Sequence, residues 1–407
     1  MTTTNARPHV FLNAVSAISA LGATGDDLRA RLFADVDPMT LRVTDQYSPG
    51  RPLHLGCVPG NVVLPALDFA APVHRSRNNA LAWAAMLPLR SQVDDLIARF
   101  GKNRVALIVG TSTGGLDEGA HAADVYRRTG QFPEGFDYRM QELGDVAAFL
   151  ARGIGIAGPA HSISTACSSG AKALASAARM LASGMVDAVV AGGVDALSAF
   201  TVAGFSALDA VSSERCNPLS ANRHGINLGE AAAFFVMTRE TGPVRLAGWG
   251  ESQDAHHMSA PDPTGRGAIS AMQQALDRAR MTAAQVDYIN LHGTATPHND
   301  AMESLAVNTL FGDACAVSST KPLTGHSLAA AGALEAAICW HVLYDNPDGK
   351  LPAHWWDGAT DDTIARLQIA PPKAGLGRPA KAVLSNSFAF GGSNCALLFA
   401  AGESRNG

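Results

Sequence analysis

Cys167 stands in Ser164-Thr-Ala-Cys-Ser-Ser-Gly-Ala-Lys172, followed by an Ala-rich run up to Gly184, a residue suited to end a helix. The pattern predicts a helix opening at the cysteine. Unpaired N–H groups at a helix N-terminus carry partial positive charge, which favours thiolate and lowers a thiol pKa from about 8.5. Small residues on both sides leave room for a substrate backbone, and the N–H of Cys167 is available to hold a thioester oxyanion. An arbitrary cysteine is more often buried and inert; these neighbours favour a nucleophile.

His292 follows an apolar run in Tyr288-Ile-Asn-Leu-His-Gly-Thr-Ala-Thr-Pro297. Either it points from a strand end at a ligand or its own turn satisfies it, and the residues leave both readings open. His326, in Ser318-Ser-Thr-Lys-Pro-Leu-Thr-Gly-His326, opens a second run that is apolar on nearly every side, so a buried helix is expected. Its N-terminus keeps an imidazole neutral, able to donate or accept a hydrogen bond. Lys321 would ordinarily be a solvated surface lysine, but the Pro-Leu-Thr-Gly that follows it argues for a fixed position. Asn386-Ser-Phe-Ala-Phe-Gly-Gly-Ser-Asn394 would bring backbone N–H groups close to a ligand, or else form a tight turn between strands.

These residues must be positioned by an α/β framework, because short β-rich runs (Arg104 to Gly110, Ala188 to Ala191) alternate with Ala- and Leu-rich helical ones such as 144–151. The strands are apolar without alternation, as expected when both faces are covered. A coarse repeat is visible. Arg104 to Gly115 resembles Val286 to Pro297, and the segment from Cys167 to Gly192-Gly193 resembles that from His326 to Gly391-Gly392. Both catalytic candidates then open equivalent helices in two related halves, 1–241 and 242–407, with the break at Thr241-Gly-Pro243 after the strand-like Ala232 to Met237.

With 407 residues and 47% hydrophobic content, one large or two fused globular units are expected. The net charge of −5 gives no electrostatic support for nucleic-acid or anionic-membrane partners. Cysteines 57, 167, 216, 315, 339 and 395 show no CxxC pairing, so reduced thiols in a cytosol are the simpler reading. The run from His9 to Leu21 is interrupted by Asn13, Ser16 and Ser19 and reads as a first strand and turn, not a signal peptide. No stretch reaches the ~20 apolar residues of a membrane-spanning helix.

At the four motifs the sequence closely resembles the β-ketoacyl-acyl-carrier-protein synthases of the thiolase-like superfamily, of the elongating type with a Cys-His-His triad. The likeness runs over nearly the whole chain. It implies a thiolase-like α/β fold, two similar halves in a layered α-β-α-β-α arrangement, and no redox cofactor or catalytic metal. It further implies that Cys167 carries the acyl group, while His292 and His326 bind the malonyl thioester carbonyl and promote decarboxylation. By the same resemblance Lys321 and Glu303 form a supporting charge pair, and Thr294 and Thr296 bond the pantetheine arm. Phe390 is the gate whose N–H completes an oxyanion hole with that of Cys167. Thr113 and Phe205 are candidates for lining the acyl pocket. A structural monovalent cation near Glu335 and Asn386 is a further implication. The implied partners are an acidic acyl carrier protein, docking on Arg75, Arg77, Arg127 and Arg128, and a second synthase-like chain, either a copy of this one or a chain-length factor.

The sequence departs from the family pattern at Ala295 (usually Ser), at Ala389 (usually Gly, so a stiffer gating loop is expected), and in the shortened stretch Cys216 to Glu230 with its His224-Gly-Ile226. That stretch looks more like synthases of secondary lipid or aryl polyene systems. Three rival families fit the residues less well. A thiolase resembles a use of two cysteines, but Cys395 falls on the wrong side of Gly391-Gly392; initiating synthases lack a counterpart of His326; and non-catalytic chain-length factors lack the nucleophile. Gly153-Ile-Gly-Ile-Ala-Gly158 matches a dinucleotide fingerprint only formally, since Pro159 follows where a helix should open. Gly110 to Gly115 lacks the Gly-Lys-Ser/Thr of a phosphate loop. His256 and His257 are adjacent and, on a strand, would face opposite ways, which disfavours a shared metal.

Overall fold

The computed structural model describes residues 9–402. The strands are β1 (Phe11–Ile18), β2 (Arg42–Thr44), β3 (Leu53–Leu55), β4 (Val105–Gly110), β5 (Ala160–Ile163), β6 (Ala188–Asp195), β7 (Ala231–Thr238), β8 (Val244–Gln253), β9 (Tyr288–Asn290), β10 (Ala316–Ser318), β11 (Gln368–Ile369), β12 (Ala382–Ala389) and β13 (Ser393–Ala401). β2 and β3 form a small ribbon, and the rest make one sheet in the order β11-β10-β9-β12-β13-β8-β1-β7-β6-β4-β5.

The repeat seen in the sequence is written into this order. Reading outward from the centre, β1-β7-β6-β4-β5 and β8-β13-β12-β9-β10 have the same sequence of pairings: two antiparallel, then two parallel. The halves join where β1 meets β8, at Phe11↔Arg245 and Leu12↔Val244. Equivalence can be followed residue by residue. Ile108 pairs with Ala191 in one half and Asn290 with Ser385 in the other, so the end of β6, Asp195, corresponds to the end of β12, Ala389.

Strand residues alternate between layers because successive side chains point to opposite faces. Val189 and Ala191 of β6, and Cys395, Leu397 and Phe399 of β13, pack on one central cluster with the helices Ser169–Ala182 and Ala331–Leu343. Their neighbours face outward to two separate helix layers, Val190 to one and Leu398 to the other. The result is the expected helix-sheet-helix-sheet-helix stacking. All of Ala331–Leu343 is buried, as its all-round apolar sequence requires.

The two central helices touch at equivalent glycines. A Cβ on Gly170 would lie 2.8 Å from Ala329 O and Ala333 N, and one on Gly332 would lie 2.8 Å from Ala171 N. This close approach, which a side chain would block, draws the N-terminal ends of the two helices together. Gly155 ends the helix Asp145–Ile154 in the left-handed conformation, so the 153–158 glycines close one helix and do not open another. No helix among the described residues is long and apolar enough to cross a membrane.

Candidate functional site

Cys167 lies on the turn between β5 and the helix Ser169–Ala182, which begins two residues later than the sequence predicts. Ala166, just before it, has φ +52°, a left-handed conformation costing a non-glycine residue about 1–2 kcal/mol. The turn is held by Ser169, whose hydroxyl accepts from Thr165 N–H at 2.9 Å and donates to Ala166 O at 2.6 Å. His292 is delivered by the end of β9. Its N–H and that of Gly293 donate to the two carboxylate oxygens of Glu303, at 2.8 and 2.7 Å. His326 follows the short helix Lys321–Thr324 and Gly325 (φ +65°), and its N–H donates to Asn227 O at 2.6 Å.

These three side chains converge. His326 Nε2 is 3.0 Å from Cys167 Sγ, the two imidazoles meet edge to face with centroids 5.3 Å apart, and the three sulfur and nitrogen ligand atoms lie within 4.8 Å of one another. Burial, and then the Lys321 ammonium, hold both imidazoles well below the usual histidine range, so both are neutral at pH 7. The Cys167 thiol is pushed up to about 12, chiefly by burial, with Lys321 and the Phe390 N–H opposing. Burial thus opposes the thiolate that the sequence suggests, and the helix starts at Ser169, two residues beyond the cysteine. The resting group is a thiol facing a neutral imidazole.

Lys321 is fixed, but by a different partner from the one the resemblance implies. Its Nζ donates to Glu335 Oε1 at 2.5 Å and to the His292 carbonyl. Glu303 is instead consumed by the backbone N–H groups of the His292 turn and by Asn386. Burial pushes both carboxyls up to about 7. Glu335 Oε2 and Asn386 Oδ1 are buried without a hydrogen-bond partner among the described residues. Buried carboxylate and amide oxygens without a partner are the kind of ligand a monovalent cation takes, and these two residues are the ones that would hold it.

The triad lies at a cavity of about 480 Å³ whose lining includes Phe205, Ile226, Thr294, Thr296, Phe388, Ala389 and Phe390. The Thr294 and Thr296 hydroxyls are 3.0 Å apart, and the Phe390 ring is 5.7 Å from that of Phe205. Phe390 lines the same cavity as Cys167, and its backbone N–H counters the rise of the thiol. Ala389 is extended (φ −101°), a conformation alanine adopts freely, while Gly391 and Gly392 take the positive φ values that let the loop turn.

Two families of assignments change. Thr113 is not in the cavity: it is buried, and its N–H and hydroxyl both donate to Asp195 at 2.9 Å. Arg77 is not a free surface cation, since its guanidinium clamps the buried Glu230 carboxylate at 2.8 and 2.5 Å. Arg75 is exposed and donates to the Ala70 and Asp68 carbonyls. Arg127 and Arg128 are 78% and 59% exposed, sharing Asp124. His256 and His257 lie in a loop beyond β8, and His257 lines the cavity, as do Leu208, Asp209 and His298. Sequence reading passed over Asp195, and its only signal was a carboxylate ending an apolar strand just after Gly192-Gly193.

Family models confirm what the geometry suggests. "Beta-ketoacyl synthase, N-terminal domain" matches residues 80–242 and "Beta-ketoacyl synthase, C-terminal domain" matches 244–348. The chain belongs to the beta-ketoacyl synthase family. Within that family it is similar to 3-oxoacyl-[acyl-carrier-protein] synthase 2 of Staphylococcus aureus, at 30% identity over 95% of this chain and all of that protein. The mitochondrial 3-oxoacyl-[acyl-carrier-protein] synthase of Arabidopsis thaliana is 36% identical over 60% of this chain, which spans 57% of that relative's length. Among solved structures, the ketosynthase ApeO of Xenorhabdus doucetiae, in complex with its chain length factor ApeC, is 42% identical, with a TM-score of 0.89 over 98% of this chain and 100% of that one. A thiolase-like ketosynthase fold is therefore established for this beta-ketoacyl synthase.

Proposed function

We propose that this chain is a β-ketoacyl-acyl-carrier-protein synthase that joins an acyl thioester to malonyl-carrier by decarboxylative Claisen condensation. The observation that carries the reading is the Cys167 thiol 3.0 Å from His326 Nε2, with His292 beside it and Phe390 on the wall of the same cavity. As the sulfur attacks an acyl thioester, its proton passes to His326 and on to the departing carrier thiol. The N–H groups of Cys167 and Phe390 hold the oxyanion. In the acyl-enzyme the sulfur has no proton, and the two neutral imidazoles serve as N–H donors to the malonyl thioester oxygen. They stabilise the enolate as carbon dioxide leaves. The enolate carbon attacks the acyl carbonyl, Cys167 departs as thiolate and takes up a proton from solvent, and the chain is longer by two carbons.

The finer reading follows the same line. Cytosolic carrier protein brings its substrates on a pantetheine arm past Thr294 and Thr296, and docks through Arg75, Arg127 and Arg128. The half-exposed edge strand β5 offers a free sheet edge to a second synthase-like chain. The likeness to a ketosynthase solved in complex with its chain length factor favours a related partner chain, and the shortened Cys216 to Glu230 stretch favours a secondary, aryl polyene-type system over housekeeping lipid synthesis. Division into halves 1–241 and 242–407 belongs to this reading. The test is intact mass after incubation with a panel of acyl-carrier thioesters. One acyl group on the peptide containing Cys167 is expected, and acylation elsewhere, or none, contradicts the proposal.

A further inference from the structure

The loop Phe390–Gly392 borders the cavity that Cys167 lines, and its feet, Ala389 and Ser393, face each other across the β12–β13 ladder. From outside, Gly391 N–H donates to Met258 O at 2.8 Å and Asp254 N–H donates to Gly392 O at 2.9 Å. From inside, the foot is held by a different chain of contacts. Lys172 Nζ donates to Ser393 Oγ at 2.7 Å, the Ser393 and Ser168 hydroxyls are 3.1 Å apart, and Ser168 Oγ donates to Thr165 O at 2.8 Å. Thr165 and Ser168 flank the nucleophile. Lys172 is half-buried, one turn into the helix after Cys167, and no carboxylate lies within ion-pair distance of it among the described residues. An ammonium only donates, so Lys172 fixes Ser393 as its acceptor.

We infer that Lys172 is a positioning residue that ties the foot of the Phe390 loop to the Cys167 turn and so sets the Phe390 N–H at the oxyanion of the acyl-transfer step. Met258 and Asp254 hold the loop at Gly391 and Gly392, beyond Phe390; the lysine adds a restraint at its foot from the nucleophile's side. The inference rests on the acyl-transfer reading of Cys167. It makes a division of labour explicit: loosening the loop harms acyl transfer, which uses the Phe390 N–H, and spares malonyl decarboxylation, which uses the imidazoles.

The experiment uses full-length protein, an octanoyl thioester of N-acetylcysteamine to read acyl-Cys167 by mass, and labelled malonyl-carrier to read carbon dioxide. Losing an oxyanion donor outright costs on the order of 10²–10³ in rate, so loosening one through Lys172→Met should slow acylation about tenfold, with decarboxylation within about twofold of the parent. Ser393→Ala cuts the same link without touching the helix and should give the same split, and Lys172→Arg should restore most of the rate. The double variant should be no slower than Ser393→Ala alone, because Ser393→Ala already removes the Lys172 link together with that to Ser168. Parental acylation in Lys172→Met and Ser393→Ala overturns the inference, and so does an equal fall of both reactions, which would mark a general structural role. A parent protein that never acylates Cys167 would instead sink the functional reading beneath it.

Discussion

The turns after β4 and β9 are equivalent by register, yet one is sealed and the other is the site. After β4, Asp195 reaches from the end of β6 and accepts from Ser112 N–H (2.7 Å), Thr113 N–H (2.9 Å) and the hydroxyls of Thr111, Ser112 and Thr113, as well as from Ala329 N–H (2.7 Å) in the other half. After β9, the strand end facing the turn is Ala389, with no polar group to offer. The turn's backbone is instead gathered from behind by Glu303, which leaves the His292 ring and the threonine hydroxyls facing a cavity. A duplicated scaffold therefore builds one brace and one active-site wall, and where the carboxylate stands decides which. Because Asp195 also holds Ala329, three residues beyond His326, the sealed turn steadies the open one.

The largest effects should come from the open side. His292→Ala or His326→Ala deletes an oxyanion donor, so malonyl decarboxylation and condensation should both fall by on the order of 10²–10³, measured as labelled carbon dioxide and product formation. On the sealed side, Asp195→Ala leaves several buried donors unsatisfied, and denaturant unfolding should show a loss of about 3 kcal/mol. If Asp195→Ala is as stable as the parent, the brace is not one. Moving the carboxylate sharpens the contrast: Ala389→Asp should fill the cavity wall and abolish acylation, while circular dichroism stays native.

Smaller effects follow from charge. Burial raises the Cys167 thiol above its unfolded value, so the thiolate fraction is small at neutral pH and grows as pH rises toward about 12. Carbamidomethylation of Cys167 in the free protein should therefore keep accelerating past pH 9, whereas a plateau near pH 7 would restore the thiolate that the sequence suggests. Smallest of all, reversing Arg127 and Arg128 to Glu should raise the carrier KM several-fold, with the parent more salt-sensitive. An unchanged KM would move docking elsewhere.

What could be read in the sequence was whatever a local pattern encodes. The apolar strands, the helices after Cys167 and His326, and the repeat all follow from short-range composition, so the layered fold was legible. The triad was legible through the resemblance of its motifs: the neighbours of Cys167 favoured a nucleophile, those of His292 left its role open, and the structure brings the three side chains together. Pairings across the sheet were not. Lys321 has two buried glutamates within reach of its turn, and only the packing of Ala331–Leu343 puts Glu335 rather than Glu303 beside it. Thr113 looked like a pocket residue because its turn resembles that of His292, and the difference lies in Asp195, 82 residues away. The thiol's environment was equally hidden, since burial is a property of the whole fold and the helix start misses Cys167 by two residues.

The most direct test of the Cys167, His292 and His326 assignment separates the two half-reactions by measuring labelled carbon dioxide and acyl-enzyme side by side in Cys167→Ala and His292→Ala. Cys167→Ala should condense nothing yet still release carbon dioxide from malonyl-carrier, while His292→Ala should retain acylation of Cys167 and lose decarboxylation. A Cys167→Ala protein that still condenses, or a His292→Ala protein that decarboxylates at the parental rate, would contradict the assignment.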